Sequence, residues 1–232
     1  MTSNKNPGEG PISTIANYIY WFLISNFLFI LMNVPFILVW SASYSQTKFN
    51  FNILLILSLL PTGPALTALL SVMGKLIRNK GISVIKDYFT AYKKNFFDGL
   101  FYGGIILAVL TIIYTDILYI KAKPGLFFIQ VVLLVAGVVI ISMAFYIFPI
   151  ISRFYFKFNE VIRLSLIYSI KKIHITLYNF ICIFGIIILI SKLPTYFLLF
   201  SFSLFCYIIM FNEKNILSQI EETYNKKGNS NE

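Results

Sequence analysis

The sequence predicts an all-α fold, a polytopic bundle of six transmembrane helices with both termini cytoplasmic and an amphipathic interfacial helix between the second and third. Three observations predict it. The 232 residues are 58% hydrophobic and 12% charged, with a mean hydropathy of +0.81, whereas an average soluble domain is roughly 25% charged. No interior of this size hides so many apolar side chains, and a bilayer is the solvent that accepts them. No Asp, Glu, Lys or Arg falls at 10–47, 49–74, 99–115, 124–152, 173–191 or 193–212, and a helix crossing a hydrocarbon core about 30 Å thick needs roughly 17 to 20 such residues. With the N-terminus inside, Lys and Arg divide 15 to 4 between inner and outer segments, as the preference of cations for the cytoplasmic side demands.

The first span covers about 17–41. Tyr18, Tyr20 and Trp21 stand near one interface and Trp40 and Tyr44 near the other, where amphipathic rings are favoured. The polar N-terminus with Lys5 and Glu9 precedes an apolar run too long for a signal-peptide core, so this span is expected to be retained. An outer turn at Gln46–Asn50 leads into the second span, about 51–77.

The stretch GISVIKDYFTAYKKNFFDGL follows. It spaces Val84, Ile85, Tyr88, Phe89, Tyr92 and Phe96 on one helical face and Lys86, Asp87, Thr90, Lys93 and Lys94 on the other. This predicts a helix lying in the inner interface, its basic face turned to lipid phosphates or to a partner protein. The third span, about 98–120, opens with Gly99, Gly103 and Gly104, small residues that let another backbone approach closely or simply ease packing.

The fourth span is about 125–152. A second basic segment with Lys171 and Lys172 runs into the fifth span, 175–191. The turn into the sixth span, 193–212, is confined to Ser191–Pro194, which predicts a hairpin with Pro194 in a first helical turn. Laying Lys93-Lys94 on Lys171-Lys172 aligns the two inner segments without a gap, a weak sign of internal repetition. Residues 1–212 thus form one transmembrane domain. The tail, 213–232, repeats Ile216, Ile220 and Tyr224 every fourth residue and then turns polar, which predicts a short cytoplasmic helix with a disordered end.

Inside the second span, Pro61, Thr62, Gly63 and Pro64 interrupt the apolar run. Proline costs a helix interior about 3 kcal/mol. Two interpretations fit. Either the prolines kink one helix and neighbours satisfy the freed carbonyls, or the helix stops near Leu60 and restarts with Thr62 as N-cap and Pro64 in the first turn, leaving N–H groups aimed into the membrane. At about 1.5 Å per residue, Pro61 lies roughly halfway across, the depth at which broken transporter helices bind solutes. Asn26 and Asn33, seven residues apart on one face, serve either as interhelical hydrogen-bonding groups or as the lining of a polar path.

Other chemistries are poorly provided for. The lone His174 at the inner rim has no second ligand at helical spacing, and Cys182 and Cys206 sit in apolar spans outside any CxxC pattern, so neither metal nor acid/base catalysis is expected, and no cofactor. There is no GxxxxGK[ST] loop for ATP. The formal charge of +10 borders apolar spans and marks topology and attraction to anionic lipid rather than nucleic-acid binding.

The run LPTGPALTALLSVMGKLIRNKGISVIKDYFTAYKKNFFDGL resembles the signature region of the YesL-like family of bacterial membrane proteins. The matching positions are Pro64, Ala65, Ala68, Leu69, Lys75, Phe89, Tyr92, Lys93, Asn95 and Phe96, and Asn26 followed by Pro35 is also similar. The resemblance covers roughly residues 17–110. It implies a multi-pass protein of a bacterial cell membrane, often associated with carbohydrate uptake and without an established activity, so no catalytic residues carry over.

The expected function is therefore a non-enzymatic accessory component of an ABC-type carbohydrate uptake system. Its partners would be the lipid bilayer, permease or ATPase subunits, and a second copy of the chain. The docking residues would be Lys86, Lys93, Lys94, Lys171 and Lys172. The alternative is a small independent transporter or channel with Pro61, Thr62, Gly63, Pro64, Asn26 and Asn33 as its binding or gating site.

Overall fold

A computed structural model describes residues 11–44, 53–79, 82–121, 125–192 and 197–229. Among them run ten α-helices and no strand. They are α1 (Pro11–Met32), α2 (Val34–Tyr44), α3 (Ile53–Ser58), α4 (Thr62–Asn79), α5 (Val84–Lys94), α6 (Phe96–Lys121), α7 (Phe127–Arg153), α8 (Phe158–Lys171), α9 (Ile173–Lys192) and α10 (Leu198–Asn229). The predicted outer turn at 46–50, the first two residues of the second span and Pro194 lie outside the described residues.

The all-α polytopic bundle is what the structure shows. Five helical stretches are long and apolar enough to cross a bilayer: Ser13–Met32, Ile53–Asn79, Phe96–Lys121, Phe127–Arg153 and Ile173–Lys192. They leave much of their apolar surface uncovered. Phe127, Phe128, Ile181 and Phe184 are each more than 60% exposed, a surface that lipid solvates and water does not. The place of the sixth predicted span is taken by the front of α10.

α4 is the axis of the bundle and packs against α1, α5, α6, α7 and α10. Its composition explains why. Ala65, Ala68, Leu69, Met73 and Leu76 are fully buried, and the small residues among them let neighbouring helices come close, which dispersion rewards where no hydrophobic force acts between helices in lipid.

Three predicted elements differ from those observed. The first span divides at Asn33, because Pro35 has no N–H for the preceding turn. The Asn33 N–H is shared between the carbonyls of Phe29 at 3.2 Å and Ile30 at 3.0 Å. The second span divides into α3 and α4 at residues 59–61. The predicted tail is no separate element, for α10 runs unbroken from Leu198 to Asn229, and Ile216, Leu217 and Ile220 are about 1–2% exposed in the core shared with α4 and α7.

The amphipathic helix is present as α5. Val84, Tyr88 and Ala91 are buried, and Lys86, Thr90, Lys93 and Lys94 are exposed. Two residues depart from the predicted faces. Ile85 is exposed, and Asp87 turns to the Lys75 ammonium of α4 at 2.6 Å while its other oxygen accepts the Ser83 N–H at 3.1 Å. The Tyr88 hydroxyl donates to the Ala65 carbonyl at 3.3 Å, and burial pushes this phenol well above its ordinary range. α5 is thereby fastened to α4.

The internal repetition has a structural counterpart. α4, α5 and α6 form a long helix, a short basic one and a second long one, and α7, α8 and α9 do the same. The short helices end at junction residues Asn95 and Lys172, whose N–H groups bond to Ala91 and Tyr168 at 2.9 Å in both cases.

Candidate functional site

The break in the second span is stitched by its own backbone. Pro61 and Pro64 cannot donate to the carbonyls of Leu57 and Leu60 four residues earlier. Those carbonyls instead accept the N–H groups of Leu60 at 3.2 Å and Gly63 at 3.3 Å. The Thr62 N–H bonds to Leu59 at 3.0 Å and the Ala65 N–H to Pro61 at 3.2 Å. The chain thus tightens into i→i−3 turns and reopens as α4. The N–H groups of Thr62, Gly63 and Ala65 are spoken for and are not aimed into the membrane.

The Thr62 side chain does not cap α4. Its hydroxyl donates to Asn33 Oδ1 at 2.7 Å, and Asn33 Nδ2 donates to the Phe29 carbonyl at 2.8 Å. The interruptions of the first and second spans are therefore joined side chain to side chain. Asn26, equally buried, serves another contact: its Nδ2 donates to the Leu198 carbonyl at 2.8 Å and its Oδ1 accepts the Ser203 N–H at 3.2 Å. It fixes the start of α10 rather than sharing a path with Asn33.

Gly63 explains the position of the break. A Cβ built there would lie 2.2 Å from the Gly99 carbonyl oxygen and 3.3 Å from Gly103 Cα, and one on Gly99 would lie 2.6 Å from Pro64 Cα. The first turn of α4 thus rests backbone to backbone on the glycines of α6. A cavity of about 310 Å³ lies on one side of Thr62 among Phe29, Phe36, Leu59 and Phe202, and another of about 200 Å³ on the other side among Leu66, Gly103, Leu107 and Phe148. Their linings are apolar apart from the Asn33–Thr62 pair, whose hydrogen bonds already engage each other and the backbone. Such space suits hydrocarbon rather than a sugar.

The basic side chains gather at the other candidate region, the end of the bundle where α4 and α7 finish. Lys86, Lys93, Lys94 and Lys171 are exposed, and Lys172 is half-buried at the α8–α9 junction, where its carbonyl accepts the N–H groups of Ile175 at 2.8 Å and Thr176 at 3.1 Å. Between α4, α5 and α7 opens a polar cleft of about 180 Å³. Lys94 lines it together with Lys75, Arg153, Asn95 and Tyr155, four residues whose convergence is invisible along the chain. Arg153 also bonds to Glu221 of α10.

A second polar group was not foreseen. Glu213, one residue beyond the last predicted span, is 1% exposed. Asn179 Nδ2 donates to its Oε1 at 3.2 Å, and Asn212 Nδ2 donates to Asn179 Oδ1 at 2.9 Å. Burial drives this carboxyl well above the ordinary carboxylate range, and the Asn179 bond opposes that only in part. The polar residue Asn179 within a span was the one signal pointing there.

Residues 22–117 match the family model described as "Protein of unknown function, DUF624". The matched segment includes the α1–α2 junction, the break, α5 and most of α6, the region whose residues carry the family resemblance. The chain is also similar to the uncharacterized protein YteU of Bacillus subtilis (strain 168), at 29% identity over 182 residues, 78% of this chain and 82% of that protein. No solved structure matches.

Proposed function

We propose that this chain is a non-enzymatic accessory subunit of a bacterial cell membrane, and that its basic end docks on a permease or ATPase subunit of an ABC-type carbohydrate uptake system. The observation that carries this reading is the pairing of pinned helices with exposed cations. α5 is held to α4 through Tyr88, Val84 and the Lys75–Asp87 pair, and α8 is held through Val161 in the core, while Lys86, Lys93 and Lys171 stand exposed on them. Cations presented on rigid elements lose little freedom when an acidic surface meets them. The carbohydrate system is what the family resemblance implies.

The test is gentle crosslinking and co-purification from native membranes, with recovered proteins identified by mass spectrometry. The parent chain should bring down permease or ATPase subunits, and Lys86→Glu/Lys93→Glu/Lys171→Glu should lose most of that recovery while keeping its own yield. Equal recovery by both chains would refute docking through this end.

The alternative, an independent small transporter working at the break, draws support from the two cavities flanking Thr62. Their apolar linings weigh against a hydrophilic solute. Solute uptake by vesicles holding only the purified chain separates the two.

A further inference from the structure

We infer that the cleft between α4, α5 and α7 is a binding site for a phosphate-bearing anion. Three helices each send one cation to it: Lys75 from α4, Lys94 from α5 and Arg153 from α7, and Asp87 is the one carboxylate in its lining. Even with Asp87 on Lys75 and Glu221 on Arg153, the cleft keeps an excess of positive charge that an anion balances.

The cations are already positioned. Lys75 is held by Asp87 at 2.6 Å, and Arg153 is held by Glu221 and stacks over the Phe154 ring at 5.3 Å. The Lys94 ammonium sits 4.8 Å from the centre of the Tyr155 ring, with no ion pair among the described residues. An Arg–carboxylate contact uses only some of the five N–H donors of a guanidinium, so Arg153 keeps donors for a ligand. The Tyr155 hydroxyl donates to Asn95 Oδ1 at 3.4 Å, which ties the α7 end to the α5–α6 junction and fixes the far wall.

Size and setting narrow the ligand class. A cleft of about 180 Å³ has room for several waters, hence for a tetrahedral group, and Lys and Arg suit its oxygens. Tyr155, which lines the cleft, is 58% exposed, as expected where a bundle meets a headgroup layer. The phosphate can belong to a lipid headgroup or to a soluble phosphate compound. The site does not depend on the docking proposal, because Lys86 and Lys93 are not in its lining.

The full-length chain in dodecylmaltoside micelles provides the test, with thermal unfolding followed by tryptophan fluorescence. One arm titrates inorganic phosphate against chloride at matched ionic strength, and the other dopes the micelles with phosphatidylglycerol or phosphatidylcholine. Saturable stabilisation by inorganic phosphate identifies a soluble source, and saturation by phosphatidylglycerol alone identifies a headgroup. In the responding arm, Lys94→Gln/Arg153→Gln should raise the half-saturation point about ten-fold or more, one charge-assisted hydrogen bond being worth at least that. Lys94→Gln alone breaks no ion pair, so its weakening, about three-fold or more, guards against a folding defect in the double variant. Lys86→Gln/Lys93→Gln should stay within about two-fold, as exposed charges off the cleft contribute little. The site is refuted if neither probe saturates, or if this last variant loses as much as the cleft variants.

Discussion

At Gly63 a single methyl group would land 2.2 Å from the Gly99 carbonyl oxygen, a backbone atom that cannot rotate away. Gly63→Ala should therefore cost about 1–3 kcal/mol, as overpacking of a tight contact does. Gly104→Ala, whose Cβ would meet only Leu60 Cδ2 at 3.5 Å, should stay within about 0.5 kcal/mol. Thermal unfolding in detergent compares the two, and equal losses would mean that α4 does not rest on α6 as described. The glycines of α6 were legible as a close-approach surface because Gly99 and Gly103 lie four apart on one face. Their partner was not, because Gly63 sits between two prolines and reads first as part of a turn. Asn33 and Thr62 were each legible as polar residues in apolar spans. That they bond to one another depends on two helix interruptions meeting at the same depth, which no local pattern encodes.

The interruption of the second span was legible as a location and ambiguous as a device, since proline removes a donor without saying what replaces it. Here the N–H groups of Leu60 and Gly63 replace it. Pro61→Ala/Pro64→Ala regains two donors whose acceptors are already occupied and loses the rigidity that proline lends. Its stability should shift by no more than about 1 kcal/mol in thermal unfolding, and loss of the folded protein would contradict the stitched geometry. The end of α10 was misread for a different reason. The change from apolar to charged residues after Asn212 suggests a change of solvent, but a helix need not end where its surroundings change, and Glu213 itself stays buried. Ile216, Leu217 and Ile220 continue into the core, and the Tyr224 ring stacks on Phe156 at 4.2 Å. Truncation after Asn212 should consequently abolish the folded, monodisperse protein in size-exclusion chromatography, since three fully buried aliphatic side chains are worth about 1.5–3 kcal/mol each. A well-behaved truncated chain would show the segment to be the independent tail that its sequence suggests.

The bundle as a whole was legible where charge is absent and cations cluster, because those patterns follow from solvation by lipid and the inner leaflet and need no knowledge of packing. The same pattern predicts the orientation: an impermeant maleimide should label Lys121→Cys from outside intact cells and Lys93→Cys only after permeabilisation, in a chain carrying Cys182→Ala and Cys206→Ala. The reverse labelling would invert the topology. Burial of Glu213 was not legible, for it requires α9 and α10 to meet in the register that sets Asn179 against it. This carboxyl couples the stability of the entire bundle to pH. Its folded pKa is raised by burial, so between its unfolded value and that raised value the native state holds a proton which the unfolded chain has lost. The native state is thus favoured fully below about pH 4.5, the ordinary value for this group, and loses that advantage as the pH rises through the folded pKa. Glu213→Gln keeps an acceptor for Asn179 and cannot ionise. The melting temperature of the variant relative to the parent should therefore climb as the pH is raised from 5 towards 9. A difference that stays flat across that range would show that this side chain is ionised or hydrated in the native bundle, and that the contact between α9 and α10 is open to water.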